Sequence, residues 1–101
     1  MGDKLLQIIK HYGVMPQLKY IHSEYFELDE AIIQAEGQRF EGKHNDIPEN
    51  CRQHIAEEIA DVMVMLEQFQ LYYGIPDEEI NDFMLYKISR QLERIEKENE
   101  R

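Results

Sequence analysis

Residues 55–73 read IAEEIADVMVMLEQFQLYY, and within them Ile55, Ile59, Val62, Leu66, Phe69 and Tyr73 recur at spacings of four, three, four, three and four. That is the period of one face of an α-helix, and no strand keeps it. Gly74 and Pro76 follow at once, the breakers expected just past a helix C-terminus. Beyond them Asp77, Glu78 and Glu79 place acids in the first turn of a further helix, where the macrodipole favours them. That helix carries Ile80, Met84, Ile88, Leu92 and Ile95 on one side and frays into the charged tail Glu96–Arg101. On the N-terminal side, Gly37 and Gly42 bracket a polar stretch ending in Asn45-Asp46-Ile47-Pro48, which reads as a loop with an N-cap signal. Before the loop, Leu18, Ile21, Tyr25, Leu28, Ile32 and Ala35 keep helical spacing, with Pro16 in the first turn and an end near Ala35 or Glu36. A short first helix, about Asp3 to Tyr12, stops at Gly13. No run alternates with period two long enough to demand a strand. The expectation is an all-α helical bundle of about four helices, one domain over residues 1–101.

A chain of 101 residues holds one modest core and not two. Two long amphipathic helices in so short a chain seal a core poorly, so oligomerisation into a homodimer or homotetramer is expected to complete the bundle. Eleven basic against 21 acidic residues leave a formal charge of −10. A nucleic-acid backbone or an anionic membrane needs a basic surface, so neither is expected as a direct partner. A phosphate-bearing ligand fits only if metal ions offset the acids. The single cysteine, Cys51, has no internal disulfide partner and fits a reducing cytosol. No segment approaches the roughly 18 apolar residues of a membrane span, and the N-terminus lacks a signal-peptide h-region. Met1-Gly2 invites a myristoylation reading, but Leu6 stands where that motif wants Ser or Thr. A soluble, cytoplasmic protein is expected.

Two acidic pairs share one internal spacing, Glu24/Glu27 and Glu58/Asp61. A separation of three places both carboxylates of a pair on one helix face. Their surroundings repeat too: Ile21, Glu24, Glu27, Leu28 and Ile32 recur 34 positions later as Ile55, Glu58, Asp61, Val62 and Leu66. In both copies the acids border the apolar stripe. Neither pair has a Lys or Arg four residues on to make a surface ion pair; Leu28, Ala31, Val62 and Met65 stand there instead. Two such helices side by side aim four carboxylates at one point, and like charges that close call for a cation. All-oxygen ligands select a hard ion, so Mg²⁺ is expected, with Mn²⁺ as a substitute. Zinc would want His or Cys in the set.

Ser23-Glu24-Tyr25-Phe26-Glu27-Leu28 followed by Glu57-Glu58-Ile59-Ala60-Asp61-Val62 resembles the ExxE…ExxD signature of the MazG-like, all-α nucleoside triphosphate pyrophosphohydrolases. The resemblance covers about Gln17 to Arg94, and Ala56–Phe69 looks especially like the second motif helix of phage and bacterial members. Two departures stand out. Ser23 occupies a place where many relatives carry a second Glu, and the 30 residues from Leu28 to Glu57 are on the long side. The extra length falls in the Gly/Asn/Pro loop, where insertions cost little. The resemblance implies that Glu24, Glu27, Glu58 and Asp61 ligate Mg²⁺. It also implies that water attacks a nucleoside triphosphate to give the monophosphate and pyrophosphate. One of these carboxylates, or the adjoining Glu57, would orient the water.

A triphosphate also needs cations. Lys87, Arg90, Arg94 and Lys97 form a stripe beside the apolar face of the last helix, and Arg or Lys can grip phosphate oxygens. Lys87, Arg90 and Arg94 are the candidates; Lys97 is accounted for by an i,i+4 pair with Glu93. His54 precedes Glu58 by one turn and shares its edge, within reach of a phosphate. Tyr20, Tyr25, Phe40, Phe83 and Tyr86 are available to stack on a base, yet aromatics at helical spacing are more often core, and none is assigned. His11, His22 and His44 show no ligand spacing. The alternatives are a non-catalytic helical interaction module, with the acids as a solvated rim, and a metal or nucleotide binder without turnover. Base and sugar preference is not legible in these residues.

Overall fold

The computed structural model describes residues 1–39 and 46–100 and arranges them as four helices: α1 (Gly2–Tyr12), α2 (Val14–Gly37), α3 (Glu49–Tyr72) and α4 (Asp77–Asn99). The described residues include no strand, and the architecture is an all-α bundle. Phe40, Gly42, His44, Asn45 and Arg101, named above, lie outside the described residues.

The breakers act as their chemistry dictates. Gly13 ends α1 and starts α2 in one residue, at φ 94° and ψ 158°, while its N–H donates to the Ile9 carbonyl at 2.8 Å. A side chain at that φ would be strained, so the sharp corner belongs to glycine. Pro16 sits in the first turn of α2, where its missing N–H leaves no gap. At the far end of α3, Gly74 takes φ 65°, its N–H donating to Leu71 and that of Ile75 to Gln70. These are the two bonds of a Schellman cap. Gln70 Nε2 then reaches the Ile75 carbonyl and Asp77 Oδ1, tying the end of α3 to the start of α4.

α1, α2 and α3 pack on one another. The pairing of α2 with α3 is antiparallel. Gln17 near the start of α2 donates to Gln68 near the end of α3 at 2.8 Å. Seven residues up α2 and seven back down α3, Glu24 faces Asp61. Gln17 and Gln68 are both buried, Gln68 to 1 % exposure. A buried amide pair that is satisfied only in one alignment sets register more sharply than apolar contacts do.

The buried line differs from the seam that the apolar spacing predicts. On α2 the chain buries Gln17, Ile21, Glu24, Ala31 and Ala35, with Leu28 half-buried; on α3 it buries Cys51, Val62, Met65 and Gln68, with Ile55, Glu58 and Phe69 half-buried. Leu18, Tyr25, Ile32, Ile59, Leu66 and Tyr73 stay exposed, at 40 to 62 %. Both interfaces are therefore turned by roughly 50°, half a residue step, toward the acids. The physical reason is the width of the apolar arc. Each helix carries more apolar surface than one neighbour covers, and α1, through Leu5 and Ile9, fills the acid-bearing side of the α2–α3 pair. The 34-residue repeat survives this rotation, since Glu24 and Glu58 both move toward the interior.

α4 stands apart. None of its residues is buried and it packs against none of the other three helices. Met84, Ile88, Leu92 and Ile95 are about half exposed. Among the described residues no helix is long and apolar enough to cross a membrane.

Candidate metal centre

Glu24, Glu27, Glu58 and Asp61 converge, each offering a carboxylate oxygen, with the four oxygens within 4.8 Å of one another. The convergence follows from helix geometry: two i,i+3 pairs on antiparallel helices meet only if the pairs lie at one height, which the Gln17–Gln68 alignment provides. The four are not equivalent. Glu24 is 6 % exposed and lies on the buried line itself, whereas Glu27 and Asp61 are exposed. Glu58 is intermediate, and His54 Nε2 lies 3.4 Å from its Oε1. Glu24 Oε2 and Glu58 Oε2 are sealed from solvent and accept no hydrogen bond among the described residues.

An anionic oxygen left bare inside a protein is costly. Two of them, on carboxylates that belong to one cluster of like charge, fit a cation. An all-carboxylate donor set suits a hard cation such as Mg²⁺. Glu24 and Glu58 would supply fixed inner ligands. Glu27 and Asp61 would supply outer ones, leaving the solvent side for water or a phosphate.

The protonation equilibria carry the same strain. Burial, then the charges of Asp61 and Glu27, push the Glu24 carboxyl above its ordinary value, and the neighbouring Tyr20 hydroxyl partly offsets this. Burial, with Glu27 and Asp61 beside it, likewise pushes Glu58 up, and His54 acts against the shift. The Tyr20 hydroxyl is itself raised, mainly by the Glu24 carboxyl beside it. A carboxyl whose pKa is raised by folding stabilises the fold below its unfolded value and loses that contribution as pH climbs through the folded value. Without metal, stability should therefore fall as pH rises above about 4.5, the ordinary value of a Glu carboxyl. Glu24→Gln, which mimics the protonated group, should flatten that slope and raise the metal-free thermal midpoint at pH 7 by a few degrees. Thermal melts of both proteins in chelator across pH 4.5–7.5 measure it. A variant less stable than wild type at pH 7 would contradict the repulsion.

Other expected site residues are distributed less simply. Glu57 is exposed and stands outside the cluster, one residue and about 100° round the helix from Glu58. Lys87, Arg90 and Arg94 share one face of α4 around a shallow groove with Gln91, and the Arg90 guanidinium lies 5.8 Å from the centre of the Tyr86 ring. Because α4 does not pack on α2 or α3, none of the three pairs with the acids of its own chain. Sequence reasoning missed Gln17 and Gln68. The available signal was their heptad distance from an acid, Gln17 seven before Glu24 and Gln68 seven after Asp61, which places each on its acid's face.

Comparison with family models, with curated proteins and with solved structures gives no match. The site's chemistry therefore rests on its own geometry.

Proposed function

We propose that this chain is a Mg²⁺-dependent nucleoside triphosphate pyrophosphohydrolase, converting an NTP or dNTP and water to the monophosphate and pyrophosphate. The observation that carries the reading is the four-carboxylate cluster with its two sealed, unpartnered oxygens, Glu24 Oε2 and Glu58 Oε2. The resemblance of Glu24-x-x-Glu27 and Glu58-x-x-Asp61 to the MazG-like signature supports the same reading. The bound ion would neutralise phosphate charge and lower the pKa of a water. Glu24 and Glu58, held by packing, keep the donor set in place. Glu27 or Asp61, open to solvent, accepts a hydrogen bond from the attacking water and orients it. The water oxygen bonds to the α-phosphorus as its proton passes to that carboxylate, the α–β anhydride bond breaks, and pyrophosphate leaves.

The working unit in this proposal is a homodimer or larger assembly in the cytoplasm. Two features support association. The exposed edges of α2 and α3, with Tyr25, Ile32, Ile59 and Leu66, fall on one side of the pair, because antiparallel helices turned in the same sense present their edges together. That surface and the bare apolar side of α4 make more uncovered apolar area than single exposed residues explain. A second copy that covered them could also bring Lys87 and Arg90 to the acids of its neighbour. The same uncovered surfaces favour the rival reading, a non-catalytic interaction module, so association does not separate the two.

Turnover does. Incubation with a panel of common and damaged dNTPs and Mg²⁺ should release pyrophosphate and monophosphate, and chelation should stop it. Inorganic phosphate as the primary product would make this a different enzyme. No turnover with any of them would return the chain to a binding or interaction role.

A further inference from the structure

Beside the acids lies a cleft of about 410 Å³ between α1, α2 and α3 that the hydrolysis of a phosphate anhydride does not itself require. It shares Glu24 and Asp61 with the acid cluster, and one helical stretch away it is lined by the Gln17–Gln68 amide pair. Ile8 and Val64 give it apolar sides, and Tyr12 and Tyr20 flank it. Tyr12 and Tyr20 are 60 % and 55 % exposed, so their rings are available to a ligand.

The amide pair is oriented and incomplete. Gln68 Nε2 points to Met65 Sδ at 3.8 Å, a weak contact that leaves its Oε1 to accept from Gln17 Nε2. That fixes which end of Gln17 is left over. Gln17 Oε1 accepts from no described residue, yet it is not among the sealed atoms, so it opens on the cleft that Gln17 lines. An acceptor held at the end of a part-apolar slot, with aromatic rings at its sides, suits a planar heterocycle bearing an N–H edge. The distances agree. Gln17 lies seven residues from Glu24, and Gln68 seven from Asp61, roughly 10 Å of helix rise, about the reach of a nucleoside from its 5′ phosphate to the far edge of its base.

We infer that this cleft is the nucleobase site, with Gln17 as the specificity-determining residue, Gln68 as its positioning residue and Tyr12 as a stacking surface. The inference rests on the pyrophosphohydrolase reading for the placement of the phosphates at the acids. A site built to hydrogen-bond a ligand group discriminates strongly against ligands that lack it, because its own polar group is then left bare. The cleft should thus favour bases with an N–H donor placed to meet Gln17 and should gain little from a triphosphate with no base.

The test compares the four common dNTPs with 2-deoxyribose 5-triphosphate, which carries no base, in Mg²⁺. Wild type should hydrolyse at least one dNTP tenfold or more efficiently than the base-free compound. Gln17→Met, close in volume but without the amide, should lower the ratio of kcat/KM on that dNTP to kcat/KM on the base-free compound ten- to a hundredfold, a ratio that any shared loss at the acids does not move. Gln68→Met should shrink the same ratio. Tyr12→Ala, at an exposed site where folding is not at stake, should lower the dNTP rate several-fold and again spare the base-free rate. Equal wild-type rates on all five compounds would overturn the inference while leaving the pyrophosphohydrolase reading intact. So would an undiminished preference in both Gln17→Met and Tyr12→Ala. If wild type turns over none of them, the hydrolase reading fails on its own. Titration with the four deoxynucleoside monophosphates, followed by NMR at Tyr12 and the Gln17 amide, then decides the cleft: base-dependent shifts support it and their absence overturns it.

Discussion

Glu58→Gln should abolish Mg²⁺-induced stabilisation and lower turnover by at least about a hundredfold. A ligand that binds only the folded state stabilises it by about 2.7 kcal/mol at a hundred times its Kd. In a domain of this size that lifts the thermal midpoint by roughly 10–20 °C. The substitution keeps the shape of the side chain and removes the anionic oxygen that is sealed without a partner at Glu58 Oε2. Losing a metal's charge stabilisation costs several kcal/mol in the transition state, and each 1.36 kcal/mol is tenfold in rate. The metal-free variant should be no less stable than metal-free wild type at pH 7, since burial and the charges of Glu27 and Asp61 disfavour the ionised form. That combination distinguishes a ligand from a structural residue, whose loss would weaken both forms. Melts with and without millimolar Mg²⁺ and a pyrophosphate assay cover every arm. A wild-type midpoint indifferent to Mg²⁺ would remove the metal centre.

The second large effect concerns Arg90. A charge-assisted contact to a phosphate is worth about 1.5–3 kcal/mol, so Arg90→Ala and Lys87→Ala should each lower kcat/KM roughly ten- to a hundredfold. Neither should change metal-induced stabilisation, and Lys97→Ala, near the end of α4, should be close to neutral. Since α4 packs on no other helix of its own chain, the contact is expected across an interface. Coexpressing Glu58→Gln with Arg90→Ala then has a distinctive outcome. In a mixed dimer one site combines intact acids from one copy with intact Arg90 from the other. Random pairing of equal amounts leaves about a quarter of all sites whole, so the mixture should regain about a quarter of wild-type activity. Contact within one chain would give no recovery above the parent variants. Unaltered kinetics in both Lys87→Ala and Arg90→Ala would return the stripe to solvated surface.

The helices were legible without coordinates because their signals are local. The four-three spacing over residues 55–73, the acids at Asp77–Glu79 and the breakers Gly13, Gly74 and Pro76 each act within a turn or two, and the four elements fall where these place them. The acid pairs were legible for the same reason, since a spacing of three on a helix fixes a shared face regardless of what packs there. Their convergence was foreshadowed by the 34-residue repeat. Which apolar edge turns inward was not. Ile59 and Leu66 are as apolar as Val62 and Met65, and only the docking of α1 through Leu5 and Ile9 decides that the first two face outward. Periodicity reports that a helix has an apolar arc; the neighbours that share it choose the buried line. Gln17 and Gln68 escaped notice because a polar residue on an apolar face declares itself only when its partner, 51 positions away, comes within 2.8 Å. The place of α4 was hidden likewise: its apolar stripe promised a neighbour, and among the described residues the tertiary structure supplies no helix against it.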